Sequence, residues 1–371
     1  MIRWIKIWIL PGAVFQSVLV GGGYGTGREV VEFISRHGPL GGLKSVFLVG
    51  ALWALVLAIT FELARRYRTR DYRSFFKVLL GRFWPLYELF FATGLVLVLA
   101  ICGAAAGAVL KDSFGMPPAV GIVLMLVIVG VLNYHGRALV ERTLTLWGLA
   151  MTAVFLAFLL LTFLDRGEHI AATFGGAQTP DGWALRGFQF FLYNVGIAPA
   201  VLYATTHLET QRHAIGAGIV AGLLGVLPAV AFHVAFMANF PAIIDEPLPV
   251  YWMLQQLGLT WLLVIYAIVL FGTIAQTGVG MLQGLNERLD AWWSERHGRG
   301  LSSRTHSLIA LGAVLASLLL ANAGIVALVA KGYGTLAWLV LVIYVLPIVT
   351  LGILKLRNRT APASAAGAPV P

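Results

Sequence analysis

The residues best placed to do chemistry are Gly21-Gly22-Gly23-Tyr24-Gly25-Thr26-Gly27, which run directly into Arg28-Glu29-Val30-Val31-Glu32. An apolar run from Trp4 to Val20 precedes them and reads as half of a membrane-spanning helix. Each helical glycine costs up to ~1 kcal/mol relative to alanine, so this run predicts an interruption. Backbone groups freed at membrane depth are tolerated only where they are buried in protein or line a cavity, and there they can bind ions and polar solutes. The N–H groups of Gly25, Thr26 and Gly27 are expected to open the second half-helix, whose positive dipole end favours an anion. The end of the first half, near Val20 to Gly22, favours a cation. A zwitterion such as an amino acid matches that pair of ends. Gly22, Gly23, Tyr24, Gly25, Thr26 and Gly27 are therefore candidate substrate-binding residues. Arg28 and Glu29 sit where ionisable side chains are costly and usually functional, and they are candidates for gating or proton coupling, with Glu32 behind them.

A second interruption is written into Phe188 to Ala200, where Asn194 and Gly196 lie just before Pro199. Proline removes a donor and clashes with the preceding turn. Asn194 and Gly196 join the candidate substrate site, with Tyr24 and Tyr203 as lids or hydrogen-bond donors. Glu88 and His233 read as packing residues rather than proton carriers. Cys102 is the single cysteine, which excludes a disulfide framework and a Cys-based metal site. No nucleophile–base pair or metal-ligand cluster is visible in the apolar segments, so neither an enzyme nor a bound cofactor is expected. Gly103–Gly107 and Gly280–Gly284 are small-xxx-small faces that read as scaffold.

These residues require elements that cross a bilayer. The 371-residue chain is 59% hydrophobic and 11% charged, with a mean hydropathy of +0.86. A soluble protein carries about twice that charge fraction, so this is an all-α polytopic membrane protein. The N-terminal run lacks a small-x-small cleavage pattern and reads as a retained span. Ten spans are expected: 4–36 (broken), 40–63, 84–110, 117–133, 142–164, 185–206, 211–238, 253–285, 305–322 and 335–354. With the N-terminus inside, 19 of the 26 Lys and Arg residues fall in cytoplasmic segments and 7 outside, which sets both termini in the cytoplasm. The net charge of +10 is thus a topology signal spread over short loops, and nucleic acid is not an expected partner. The cluster from Arg65 to Arg82 is free to attract anionic lipid.

The loop 165–183 divides the chain into 1–164 (five spans) and 184–355 (five spans), followed by a disordered cytoplasmic tail, 356–371. An odd number of spans per half places the halves in opposite orientations, an inverted repeat. The first span of each half is the interrupted one.

Ten spans as five plus five, with broken first and sixth helices, resemble the LeuT-type fold of the amino acid–polyamine–organocation superfamily. The run Pro11-Gly12-Ala13-Val14-Phe15-Gln16, followed by Gly21 to Glu29, looks like that of the YkvI-like family of bacterial membrane proteins. The fold-level resemblance spans residues 1–355, and the motif-level resemblance is confined to the first span. It implies a substrate cradled between the first and sixth helices. It also implies a sodium ion between the carbonyls near Val20 to Gly23 and the eighth helix, where Thr273, Gln276 and Thr277 share one face. A cation at the place of Arg28 closes an external gate in some members of the fold family, although the tenth span here has no acidic partner for it. Some proton-coupled relatives place a lysine in the fifth helix, and the apolar body of this fifth span has none.

The expected function is secondary active transport in the bacterial cytoplasmic membrane: Na⁺-coupled symport of an amino acid or similar small solute by alternating access. The alternatives are proton-coupled amino acid or amine transport, and a solute sensor on the same fold. Divalent metal transport is disfavoured because the breaks lack the acidic Asp-Pro-Gly-Asn pattern and a Met ligand.

Overall fold

A computed structural model describes residues 2–135, 137–175, 181–298 and 300–358, and every regular element among them is helical. The first interrupted segment comprises α1 (Ile2–Trp8), α2 (Leu10–Leu19), a single turn α3 (Gly22–Gly25) and α4 (Arg28–Phe33). A 3₁₀ turn at Ser35–His37 then leads into the long α5 (Gly38–Tyr67). Next come α6 (Tyr72–Leu80), α7 (Leu86–Phe114), α8 (Pro118–His135) and α9 (Arg137–Gly175). The second interrupted segment is α10 (Trp183–Val195) followed by a 3₁₀ stretch at Ala198–Thr205, bent by 54° from it. The chain continues through α11 (Gln211–Phe236), α12 (Pro249–Gln256), α13 (Thr260–His297) and α14 (Ser303–Ala321). It closes with α15 (Ile325–Arg357), a helix containing several wide π-type turns.

Among the described residues, six helical segments are long and apolar enough to cross a membrane, and the bent pair makes a seventh. Three shorter apolar helices, Leu10–Leu19, Pro118–Val131 and Leu308–Ala321, accompany them. Side-chain caps mark where elements begin. Asp71 accepts from the Ser74 N–H at 2.8 Å to start α6, and Thr210 accepts from the His213 N–H at 3.1 Å to start α11.

The most extensive helix pair is α5 with α11. It is close because α11 presents Gly218 and Gly222 to the backbone of α5: a Cβ on Gly222 would lie 2.6 Å from Ala54 Cα, and one on Gly218 would lie 2.6 Å from the Leu57 carbonyl carbon. The Gly103–Gly107 face packs on α8, with Gly107 against the Pro118 carbonyl. Gly284 meets Phe91, whereas Gly280 faces open space, so the second small-residue face is only half used.

Several expected boundaries move. The span expected at 253–285 is two helices, because Gly258 adopts a positive φ of 68° between α12 and α13. The local signal for that turn is Gln255-Gln256 followed by Gly258, set between two apolar runs. The loop expected at 165–183 is helical to Gly175, since Glu168, Ala171 and Ala172 are good helix formers that prolong α9. The amphipathic α6 stands where only a basic loop was expected. The final helix starts ten residues earlier than expected, at Ile325. The part of the 165–183 loop at 176–180, and the tail from 359 onward, lie outside the described residues.

Candidate functional site

The glycine-rich run breaks the first helix twice. Gly21 is extended (φ −93°, ψ −168°) after α2, and Gly27 takes φ +82° before α4. That left-handed value is one that glycine adopts without penalty, and a Cβ there would also lie 2.6 Å from the Phe236 ring. The turn between the two breaks satisfies much of its own backbone. The Gly25 N–H donates to the Gly21 carbonyl (2.8 Å), and the Gly27 N–H donates to the Tyr24 carbonyl (2.9 Å). The Arg28 N–H donates to Thr26 Oγ1 (3.2 Å), whose hydroxyl in turn donates to the Gly23 carbonyl (2.7 Å). Of the expected open N–H seat at Gly25, Thr26 and Gly27, the groups of Gly25 and Gly27 are therefore already occupied by carbonyls, because the run forms a closed turn rather than a frayed helix start. Neighbouring elements hold the turn in place: Tyr266 Oη donates to the Gly25 carbonyl (2.9 Å), and the Val250 N–H donates to the Thr26 carbonyl (3.2 Å).

Glu29 points back onto this turn. It is 4% exposed, and its Oε1 lies so close to Gly23 that a Cβ there would collide with it. Its Oε2 accepts from Tyr193 Oη at 2.7 Å, and among the described residues it forms no ion pair. Tyr193 stacks on Tyr333 of α15, with ring centroids 4.5 Å apart and planes 7° from parallel. Tyr24 is 1% exposed, tilts against Phe190 and Phe232, and has a hydroxyl with no partner among the described residues.

Arg28 turns the other way. Its guanidinium donates to the carbonyls of Ile244 (2.6 Å) and Glu246 (3.0 Å) and pairs with Glu32 (2.6 Å), which also binds Arg36 (3.0 Å). The i, i+4 spacing sets Glu32 one turn after Arg28 on α4, and Arg36 reaches Glu32 from the 3₁₀ turn that follows. Together they latch the 242–246 segment over the interruption. In that segment burial pushes the Glu246 carboxyl above its ordinary range, and the nearby charges of Asp112 and Asp245 add to the effect, with Arg28 opposing.

On α13, a Cβ on Gly21 would lie 3.7 Å from Thr277 Oγ1. Thr277 donates to the Thr273 carbonyl (2.9 Å) and Thr273 to the Val269 carbonyl (2.8 Å), which leaves both hydroxyl oxygens with lone pairs to offer. Thr277 thus lies beside Gly21, and Thr273 is one turn earlier on the same helix; Gln276 lies between them in sequence and is engaged elsewhere.

The remaining candidates divide. Asn194 is buried but gives its amide N–H to the Phe190 carbonyl (3.0 Å). The Gly196 carbonyl accepts from Tyr87 Oη (3.0 Å), so the bend of the second segment faces α7 rather than Glu29. Tyr203 is 60% exposed, on the outer side of the 3₁₀ stretch, and stands away from the interruption. His233 is wedged between Ser35 Oγ (3.0 Å) and the Pro39 carbonyl (2.9 Å), a packing role. Glu88 accepts from Tyr72 (2.8 Å) and Arg288 (3.0 Å), and the Arg288 guanidinium lies over the Tyr72 and Phe91 rings, which ties α6, α7 and α13 together at the far end. Tyr193, Tyr266 and Tyr333 were not expected at the site. Tyr193 adjoins a recognised break, but nothing local marks Tyr333.

The chain matches no family model. It is 23% identical over 298 residues to the uncharacterized membrane protein YkvI of Bacillus subtilis, a match covering 75% of this chain and 80% of that protein. Among solved structures, it is similar to a Na⁺-coupled sialic acid symporter in its substrate-bound, outward-open state. That match has a TM-score of 0.58 and 14% identity, and covers 94% of this chain and 87% of the other. It is also similar to the inward-facing conformation of Mhp1, with a TM-score of 0.52 and 15% identity over 91% and 76% of the two chains. The fold is the LeuT-type fold of these proteins, and the chain is a homologue of YkvI.

Proposed function

We propose that this YkvI homologue of LeuT-type fold is a secondary active transporter that moves a small organic solute together with a coupling cation by alternating access. The observation that carries the reading is the doubly broken first helix with a buried carboxylate folded onto it. Such an arrangement is costly in a membrane helix and suits a binding site for a polar solute. In this reading the six long apolar segments, the bent pair and the three shorter apolar helices are the ten spans of a five-plus-five inverted repeat. Interruptions at Val20–Gly27 and at Val195–Ala198 begin its two halves. We place both termini in the cytoplasm of a bacterial inner membrane, on the charge asymmetry of the loops.

For the coupling ion, the lone pair of Thr277 beside Gly21, with Thr273 one turn earlier on the same helix, favours Na⁺, a hard cation that prefers oxygen ligands. Uptake into proteoliposomes is expected to require an inward Na⁺ gradient. Thr273→Val with Thr277→Val is expected to raise the Na⁺ concentration for half-maximal uptake about tenfold or more, the scale of ~1.4 kcal/mol for lost oxygen contacts. Uptake that follows a proton gradient and ignores both substitutions would overturn Na⁺ coupling. Ligand binding without any uptake would make the protein a sensor.

A further inference from the structure

We infer that the group held at the first-helix interruption is a protonated amine, and that the preferred ligand is an organic amine rather than its amino acid. The inference rests on the transporter reading for the route by which a ligand reaches so enclosed a point.

Four observations converge on it. The first is charge. Glu29 is buried, receives one hydroxyl hydrogen bond and forms no ion pair among the described residues. Its neighbour Arg28 is committed to Glu32 and to two loop carbonyls on the other side of the helix. A buried carboxyl in such a setting is either neutral or matched by a cation, and a cationic ligand supplies the match. The second is the expected anion seat. The N–H groups of Gly25 and Gly27, at which a carboxylate was expected, are bonded to the carbonyls of Gly21 and Tyr24. The third is the surrounding wall: Tyr193 stacked on Tyr333, and Tyr24 tilted against Phe190 and Phe232, supply aromatic faces that attract ammonium groups. The fourth is an orphan. The Tyr24 hydroxyl is buried without a partner among the described residues, and Tyr24 directly follows Gly23, against which Glu29 Oε1 lies. The Tyr24 phenol oxygen and the Glu29 carboxylate are both acceptors, which favours an amine carrying N–H bonds over a quaternary ammonium. No covalent step is involved, and the amine arrives already protonated.

The test uses the purified full chain and matched pairs differing by one carboxylate: ethylamine against alanine, isobutylamine against valine, and phenethylamine against phenylalanine. A ligand that binds the folded state raises its melting temperature by mass action. At least one amine is expected to stabilise the protein at a lower concentration than its amino acid partner. Glu29→Gln, shown to be monodisperse and folded, is expected to weaken that amine about tenfold or more, because it removes the charge and keeps the shape. Tyr193→Phe, which keeps the ring and removes only the bond orienting the carboxyl, is expected to weaken it less. Three results would each overturn the inference: no amine shifts the melting temperature at millimolar concentration, the amino acids match or exceed their amines, or Glu29→Gln binds amines as the unaltered protein does. Flux separates this from the transporter reading. Amine binding without proteoliposome uptake overturns transport and leaves the amine site standing. Amino acid uptake unaffected by Glu29→Gln overturns the amine site and leaves transport standing.

Discussion

Gly222→Leu is expected to destabilise the protein by at least about 3 kcal/mol, the upper range for overpacking a close-packed interior. The reason is what the new side chain would meet. A Cβ at position 222 lies 2.6 Å from Ala54 Cα, and the residues around it are α5 backbone rather than a side chain that could rotate away. Relief requires α5 and α11 to separate, and this is the most extensive helix pair in the molecule. Packing of this kind matters more in a bilayer than in water, since lipid chains are as apolar as the helix faces and burial supplies little drive of its own. Gly222→Ala is expected to lie between the leucine variant and the unaltered protein, and Gly218→Ala to behave similarly. Gly312→Ala is the control: no atom lies within 4 Å of a Cβ there, so its effect stays within about 1 kcal/mol, the ordinary difference between Gly and Ala in a helix. Melting temperatures of the four variants in one detergent measure the series. A leucine variant that melts with the unaltered protein would mean that the two helices are not in this contact.

That contact also shows what the sequence makes legible. The spans and both interruptions are local signals, carried by hydropathy over about twenty residues and by runs of Gly or Pro, and the helices form around them. Gly218 and Gly222 belong to a chain with 42 glycines, and nothing in their spacing says which of them touches a backbone. The candidate site divides along the same line. Gly23, Tyr24 and Glu29 adjoin the break and could be read from it, whereas Tyr333 is more than three hundred residues away in sequence and arrives by packing against Tyr193. The expected zwitterion seat came from the dipole of an idealised half-helix. It misses the extended Gly21 and the left-handed Gly27, which let the run close into a turn and use its own N–H groups. Tyr203 was singled out by its type and its place after the second break, yet a 3₁₀ stretch rotates it outward.

Arg28→Met is expected to destabilise the protein by about 3 kcal/mol, and to free the segment over the interruption before the rest unfolds. The guanidinium is fully buried and holds three partners at once: Glu32, the Ile244 carbonyl and the Glu246 carbonyl. Removing it leaves Glu32 buried with Arg36 alone, and Arg36 is partly exposed, so its charge is better screened and compensates less. Arg28→Lys should recover only a fraction, since a single ammonium cannot match a planar fork that reaches a carboxylate on one side and carbonyls on the other. The double variant Arg28→Met with Glu32→Leu removes the stranded charge and should be more stable than Arg28→Met alone, because an apolar pair often replaces a buried ion pair at little cost. Hydrogen exchange supplies the second reading. Amides from Ile243 to Val250 should lose protection in Arg28→Met, while those of the Glu88–Arg288 cluster at the far end keep theirs. Protection lost equally at both ends would make Arg28 a general stabiliser rather than a latch. If Arg28→Met instead melts as the unaltered protein does, the side chain is not holding the segment, and the closed end of the molecule must be secured by the Val250–Thr26 backbone bond and the packing of α12.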